Sequence, residues 1–228
     1  MPTLILLRHG ESVWNKENKF TGWQDVNLSE EGINQSRQAA YFLKEKGFLF
    51  DLAFTSFLKR ATHTLEIVLN ELNLSDIPVK KTWRLNERRY GALETLNKKE
   101  IAEKYGDTQV HRWRRGYEDV PPPLTENDFR YLNNLPKMDD LKTTPPLTES
   151  LKNVELRLLP YWQNEIIPEI KSGKKIIIVA HGNSLRALIR YLDNLTPEEI
   201  EKIEIPVGIS LIYKLNDDLK PVNHYYLN

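Results

Sequence analysis

The chain has 228 residues, 40% of them apolar and 10% aromatic, enough for a substantial core, so global disorder is excluded. Lysine plus arginine and aspartate plus glutamate each number 32, leaving no overall basic field to draw the protein to nucleic acid or anionic lipid. There is no cysteine, which excludes disulfides, thiolate metal sites and a cysteine nucleophile.

The mean hydropathy is −0.53 and no 18-residue apolar run occurs, so no membrane span is expected. Met1-Pro2-Thr3 leads straight into a strand pattern without the regions of a secretion signal, and a cytoplasmic location is the expectation.

Residues 4–7 are a continuous apolar run stopped by Arg8-His9-Gly10, the pattern of a parallel strand buried on both faces. Leu28-Ser29-Glu30-Glu31-Gly32 combines a helix cap with first-turn acids; Ile33, Ala40 and Leu43 share one face of the helix it starts, which Gly47 closes. Residues 51–56 predict a second strand, and Leu58, Ala61, Leu65, Val68, Leu69 and Leu72 recur at helical spacing after it. From 86 to 147 the periodicity lapses. Pro121-Pro122-Pro123 and Pro145-Pro146 interrupt a stretch too long for an ordinary connection, so a lid-like insertion at about residues 94–147 is expected.

Leu151, Val154, Leu158, Trp162 and Ile166 mark a long helix starting near Thr148. Residues 176–180 form the most hydrophobic strand, ending in His181-Gly182. Residues 184–192 read as helix, and 209–215 and 221–227 as closing strands. Strands alternating with long helices predict an α/β fold in one domain spanning 1–228: a three-layer sandwich whose mostly parallel central sheet is flanked by helices. Charge in the insertion is divided. Residues 79–115 hold eleven Lys and Arg against five acids, whereas 116–155 hold four against eight, either a solvated surface or a local anion trap.

Two strands each end in His-Gly, and in open α/β sheets ligands bind beyond the carboxyl ends of strands, so His9 and His181 are expected in one crevice. Arg8, Arg60, Arg88, Arg89, Arg114 and Arg115 fall in turns or helix starts able to face it, and guanidinium forks match phosphate oxygens. Arg60 opens the helix after the second strand, where free N–H groups add to its pull on an anion. Fixed positive groups of this kind suit phosphoryl transfer. A His9/His181/Glu87 metal triad is disfavoured because the arginines would repel a cation, so no metal is expected.

Leu6-Leu7-Arg8-His9-Gly10-Glu11-Ser12 resembles the phosphohistidine signature of the histidine phosphatase superfamily. Four further stretches resemble the cofactor-dependent phosphoglycerate mutases within it: residues 14–23, 85–93, Trp113-Arg114-Arg115-Gly116 and Ala180-His181-Gly182-Asn183-Ser184-Leu185-Arg186. The resemblance implies that His9 is the phosphorylated nucleophile, that His181, Arg8 and Arg60 cradle the phosphoryl group, and that Glu87 exchanges the proton of the substrate hydroxyl. It assigns substrate binding to Ser12, Asn15, Thr21, Gly22, Arg88, Arg89, Tyr90, Lys98, Arg114, Arg115, Gly182 and Asn183.

It also implies interconversion of 3-phosphoglycerate and 2-phosphoglycerate, priming of His9 by 2,3-bisphosphoglycerate, and a homo-oligomer, a dimer ahead of a tetramer. The alternatives are a phosphatase on the same site, with water as acceptor, and an inactive module that only holds a phosphorylated partner. Two features depart from the family pattern. Glu94-Thr95 stands where Gln-Gly is common, placing an acid near an anion site. The sequence given ends at Tyr225-Tyr226-Leu227-Asn228, where many members continue into a Lys- and Ala-rich tail, so easier access of water to the phosphoenzyme is expected.

Overall fold

A computed structural model describes residues 1–133 and 144–227. Six strands, β1 (Thr3–Arg8), β2 (Leu52–Thr55), β3 (Val79–Lys81), β4 (Ile176–Ala180), β5 (Ser210–Leu215) and β6 (Pro221–Leu227), form one sheet in the order β3-β2-β4-β1-β5-β6. Pairings β3–β2, β2–β4 and β4–β1 are parallel; β5 runs antiparallel to both β1 and β6. The mostly parallel sandwich expected from the sequence is the fold observed.

Alternation along the two innermost strands makes the three layers. Leu4, Leu6, Ile176 and Ile178 face one core with Leu158, Trp162 and Leu188; Ile5, Leu7, Ile177 and Val179 face another with Ala40, Leu43, Leu65 and Val68. Both faces of β1 and β4 are therefore covered, which is why their sequences are unbroken apolar runs.

The helices, in chain order, are α1 (Val13–Lys16), α2 (Glu30–Glu45), α3 (Lys59–Glu71), α4 (Lys98–Tyr105), α5 (Asp107–Arg115), α6 (Phe129–Leu132), α7 (Leu151–Tyr161), α8 (Ile167–Lys171), α9 (Gly182–Leu192) and α10 (Pro197–Lys202). Ser29 caps α2 through the Gly32 N–H, as its sequence predicts. The helix expected from Thr148 begins at Leu151 instead, where Ser150 and Asn153 form a reciprocal cap. It carries Pro160 and passes through a π-helical turn, Trp162–Ile166, into α8. The helix expected from Ser184 starts two residues earlier, at Gly182.

Two helices in the insertion, α4 and α5, have no counterpart in the sequence reading, because short helices rich in Lys, Arg and Glu give little apolar periodicity. Ile101, Val110 and Trp113 bury their apolar face against Phe20 and Leu93. Residues 134–143 of the expected insertion lie outside the described residues. Among the described residues no helix is long and apolar enough to cross a membrane.

Candidate active site

Strand register creates the reacting centre. Arg8 pairs with Ala180 across β1 and β4, so the next residue on each strand, His9 and His181, emerges beside the other with ring centroids 5.0 Å apart. The His9 N–H bonds the Ala180 carbonyl at 3.0 Å and fixes that juxtaposition. Gly10 follows because the backbone of Gly32, at the start of α2, lies where a Cβ would stand.

His9 Nδ1 lies 2.6 Å from the Gly10 carbonyl. A carbonyl only accepts, so Nδ1 carries the proton and Nε2 keeps its lone pair. Arg60 Nε approaches that Nε2 at 3.3 Å. Burial, then the charges of Arg60 and Arg8, hold the His9 pKa well below the ordinary imidazole value despite the Gly10 bond. The result is a neutral, oriented nitrogen able to act as a nucleophile.

Arg60 is itself held: its Nη1 and Nη2 donate to the carbonyls of Gln24 and Gly22 at 2.9 and 2.8 Å. Burial pushes its pKa down to about 10, which leaves it charged at neutral pH. Arg8 donates from Nη1 to the Ile205 carbonyl, and its buried Nε has no partner among the described residues.

His181 Nε2 is 2.7 Å from Ser56 Oγ, and the Leu58 N–H also bonds that oxygen at 3.2 Å. With the hydroxyl proton assigned to His181 Nε2, Nδ1–H is left as a buried donor without a partner among the described residues. Burial, then Arg60, keeps this ring neutral as well.

Glu87 Oε1 accepts three N–H donors: the Arg88 backbone at 2.7 Å, Asn183 Nδ2 at 2.8 Å and the Asn183 backbone at 3.2 Å. Oε2 is the oxygen left to exchange a proton with a substrate hydroxyl. Arg186 Nη1 donates to Asn183 Oδ1 at 3.0 Å and so fixes which end of that amide faces Glu87. Arg186 belongs to the 180–186 stretch, whose resemblance assigns it no role.

One cavity joins most of the residues singled out from sequence: Arg8, His9, Asn15, Thr21, Gly22, Arg60, Glu87, Tyr90, Lys98, Arg114, Arg115, Gly182 and Asn183 all line it. Lys19, Phe20, Arg186, Glu204 and Ile205 line it too and were not anticipated. Seven basic side chains face it against the carboxylates of Glu87 and Glu204, and three of them, Lys98, Arg114 and Arg115, come from the basic stretch 79–115, an arrangement suited to an anion. Lys98 comes from the first turn of α4, and Arg114 and Arg115 from the last turn of α5. Burial, reinforced by Arg114 and Arg8, lowers the Lys98 pKa. Glu204 Oε1 meets Arg115 Nη2 at 2.8 Å at the rim.

Four expected residues are not among those lining the cavity. His181 is fully buried, edge-on to the His9 ring. Ser12 caps α1 through Asn15. Arg88 lies over the Tyr90 ring at 4.8 Å and donates to the Arg114 carbonyl at 2.6 Å, tying the 87–90 loop to α5. Arg89 is sandwiched between the rings of Trp23 and Tyr131, at 5.2 and 5.4 Å, and lies 3.6 Å from Glu94. The acid at position 94 points away from the anion trap. Burial raises its pKa, and Arg89 and three N–H donors oppose the rise.

Two expected outcomes follow from this packing. Gly22 has φ +53°, and a Cβ there would overlap the Glu94 carboxylate. Gly22→Ala should therefore cost about 2–4 kcal/mol, read from denaturant midpoints, with loss of turnover as its carbonyl shifts under Arg60. A midpoint shift below about 0.5 kcal/mol would show that the loop relaxes freely.

The second concerns acid. Because both histidine pKa values are lower folded than unfolded, the unfolded chain binds more protons below about pH 6.5, and folding stability falls as pH falls through that point. The slope is up to about 1.4 kcal/mol per pH unit for each ring. Denaturation series between about pH 7.5 and pH 5.5 should show it, and a His181→Asn variant should show a shallower dependence. An equally steep dependence in that variant would assign the acid sensitivity elsewhere.

A family model described as histidine phosphatase superfamily (branch 1) matches residues 4–133 and 126–226. Among solved structures, a mycobacterial glucosyl-3-phosphoglycerate phosphatase superposes with a TM-score of 0.75 at 21% identity, over 99% of this chain and 97% of that one. The α-ribazole phosphatase of Shigella flexneri gives 0.68 at 21% identity, over 97% and 94%. The Bacillus stearothermophilus protein YhfR gives 0.71 at 23% identity, over 94% and 91%. At these identities the likeness establishes a shared fold.

Proposed function

This chain belongs to the histidine phosphatase superfamily (branch 1), a family of phosphoryl-transfer enzymes, and on that footing we propose that it is a mutase interconverting 3-phosphoglycerate and 2-phosphoglycerate. The observation that carries the reading is the cavity's second, cationic wall. Lys98, Arg114 and Arg115 line the same space as His9 and Glu87, so a small substrate with a charged group at each end is held by both.

In this reading the phosphoryl group moves from His9 Nε2 to the free hydroxyl of the substrate: the N–P bond breaks, an O–P bond forms, and Glu87 Oε2 takes the hydroxyl proton. The bisphosphorylated product turns within the cavity. His9 Nε2 then takes the other phosphoryl group, and Glu87 returns the proton to the oxygen released. Arg8, Arg60 and His181 Nδ1–H hold the charge on the equatorial oxygens during each transfer. 2,3-Bisphosphoglycerate would supply the priming phosphoryl group. The buried Arg8 Nε, without a partner among the described residues, and the basic lining fit such an anion. No metal enters the scheme, and a cytoplasmic homodimer acting on small-molecule phosphoglycerates belongs to the same proposal.

A second reading, a phosphatase with water as acceptor, is favoured by the structural neighbours, two of which are phosphatases of phosphorylated metabolites. A coupled assay from 3-phosphoglycerate to 2-phosphoglycerate, with and without 2,3-bisphosphoglycerate and with released phosphate recorded together, separates them. Fast interconversion that needs the bisphosphate and releases little phosphate supports the mutase. Phosphate release without interconversion replaces it with the phosphatase.

A further inference from the structure

Glu94 is fully buried, does not line the cavity and has no part in the scheme above. Its carboxylate joins two loops. Oε1 accepts the backbone N–H groups of Trp23 and Tyr90, each at 3.2 Å, and Oε2 accepts Gln24 Nε2 at 2.8 Å. A carboxylate without solvent persists only when charge and hydrogen bonds compensate it, and Arg89 Nε at 3.6 Å completes that compensation.

The first of these loops also carries the carbonyls of Gly22 and Gln24, which hold both terminal nitrogens of Arg60. Arg60 Nε is then left to face His9 Nε2. Carboxylate, loop, guanidinium and nucleophile thus form one unbroken series of contacts. The absence of a side chain at Gly22 is what lets the loop backbone close on the carboxylate.

We propose that Glu94 is a positioning residue for phosphoryl transfer, fixing the Gly22 and Gln24 carbonyls that aim Arg60 at His9 Nε2. The proposal rests on His9 as the phosphoryl acceptor and applies equally to a mutase and a phosphatase. A substitution that merely loosened the fold would leave the chemistry of properly folded molecules intact. One that misdirects Arg60 weakens the transition state more than the ground state.

Orthovanadate, which adopts the trigonal bipyramidal shape of a transferring phosphoryl group, is the probe, and phosphate-ester turnover is measured beside it. Glu94→Ala should weaken vanadate binding about 10-fold or more and lower kcat similarly, with KM changed less than about 3-fold. Glu94→Gln keeps an oxygen acceptor for the two backbone N–H groups and should recover to within about 3-fold of wild type. In an Arg60→Lys background, where the aimed group is already lost, Glu94→Ala should add less than about 2-fold.

A full additional loss in that background, or unchanged vanadate affinity in Glu94→Ala, overturns the proposal. If Glu94→Ala does not fold, Glu94→Asp, whose shorter side chain withdraws from the loop, runs the same cycle with the same criteria. His9→Ala distinguishes the two levels. Vanadate affinity unchanged by His9→Ala overturns the phosphohistidine reading and this proposal with it, whereas affinity lost with His9 but unaffected by Glu94 overturns the proposal alone.

Discussion

His9→Ala is expected to lower turnover by about 10,000-fold or more while the protein still folds. The imidazole presents the cavity with a nitrogen whose lone pair is fixed in place, because Gly10 claims the Nδ1 proton and Arg60 faces Nε2. Alanine leaves the β1–β4 pairing intact, since the His9 N–H to Ala180 bond is made by backbone. The stability cost is therefore that of one buried side chain and one hydrogen bond, about 2–3 kcal/mol. Two measurements check this: turnover beside a thermal melt, and incorporation of labelled phosphate into an acid-labile, alkali-stable adduct. Wild-type turnover in the variant would sink the phosphohistidine mechanism.

Glu87→Gln is expected to separate two kinds of phosphoryl donor. The amide retains an oxygen for the Arg88 and Asn183 donors that Oε1 now serves, so the loop stays in place, but it cannot exchange a proton at the other end. Transfer between His9 and an alkyl hydroxyl should fall about 100- to 10,000-fold, and microscopic reversibility demands the same loss when a bisphosphoglycerate phosphorylates His9. An aryl phosphate needs no proton for its leaving group, so phosphorylation of His9 by that donor should fall less than about 10-fold. Stopped-flow release of the phenolate gives the second number and rapid-quench phosphoglycerate transfer the first. Equal losses for both donors would make Glu87 a binding residue and not an acid and base.

The reacting centre was the most legible part of the molecule in sequence, for a structural reason. Strands β1 and β4 are buried on both faces, so their apolar runs are unmistakable, and each run stops at a histidine. The register of a parallel pair then brings those residues together. Ser56 ends the neighbouring strand in the same way, but a serine there carries no distinctive signal, although its hydroxyl bonds His181 Nε2. Strand β3 went unread because three residues at a half-exposed edge show no alternation to detect.

Arg88, Arg89, Arg114 and Arg115 illustrate the limit of reading charge. All four are basic and close in sequence to the site, yet only the α5 pair lines the cavity, while Arg89 is locked between two aromatic rings. Composition cannot distinguish an arginine that binds substrate from one that braces a loop, because the distinction depends on which partners the fold brings to its fork. Glu94 shows the converse. An acid in a stretch of sequence otherwise suited to an anion site is turned toward Arg89 and the Tyr90 N–H close by and toward Trp23 and Gln24, which lie 71 and 70 residues away in sequence.

The insertion helices α4 and α5 pack on Phe20 and Leu93 through Ile101, Val110 and Trp113, and α5 is also held where Arg88 and Arg186 donate to the carbonyls of Arg114 and Arg115. In the proposed scheme the groups that make and break the phosphorus bond are carried by one part of the chain, and those that select the far end of the substrate by another. Such a division makes the scaffold modular. On that scheme, exchanging α4 and α5 while keeping the Phe20 socket and the two carbonyls that Arg88 and Arg186 hold would alter which metabolite is admitted without disturbing His9, so substrate range on this architecture is free to change faster than its chemistry.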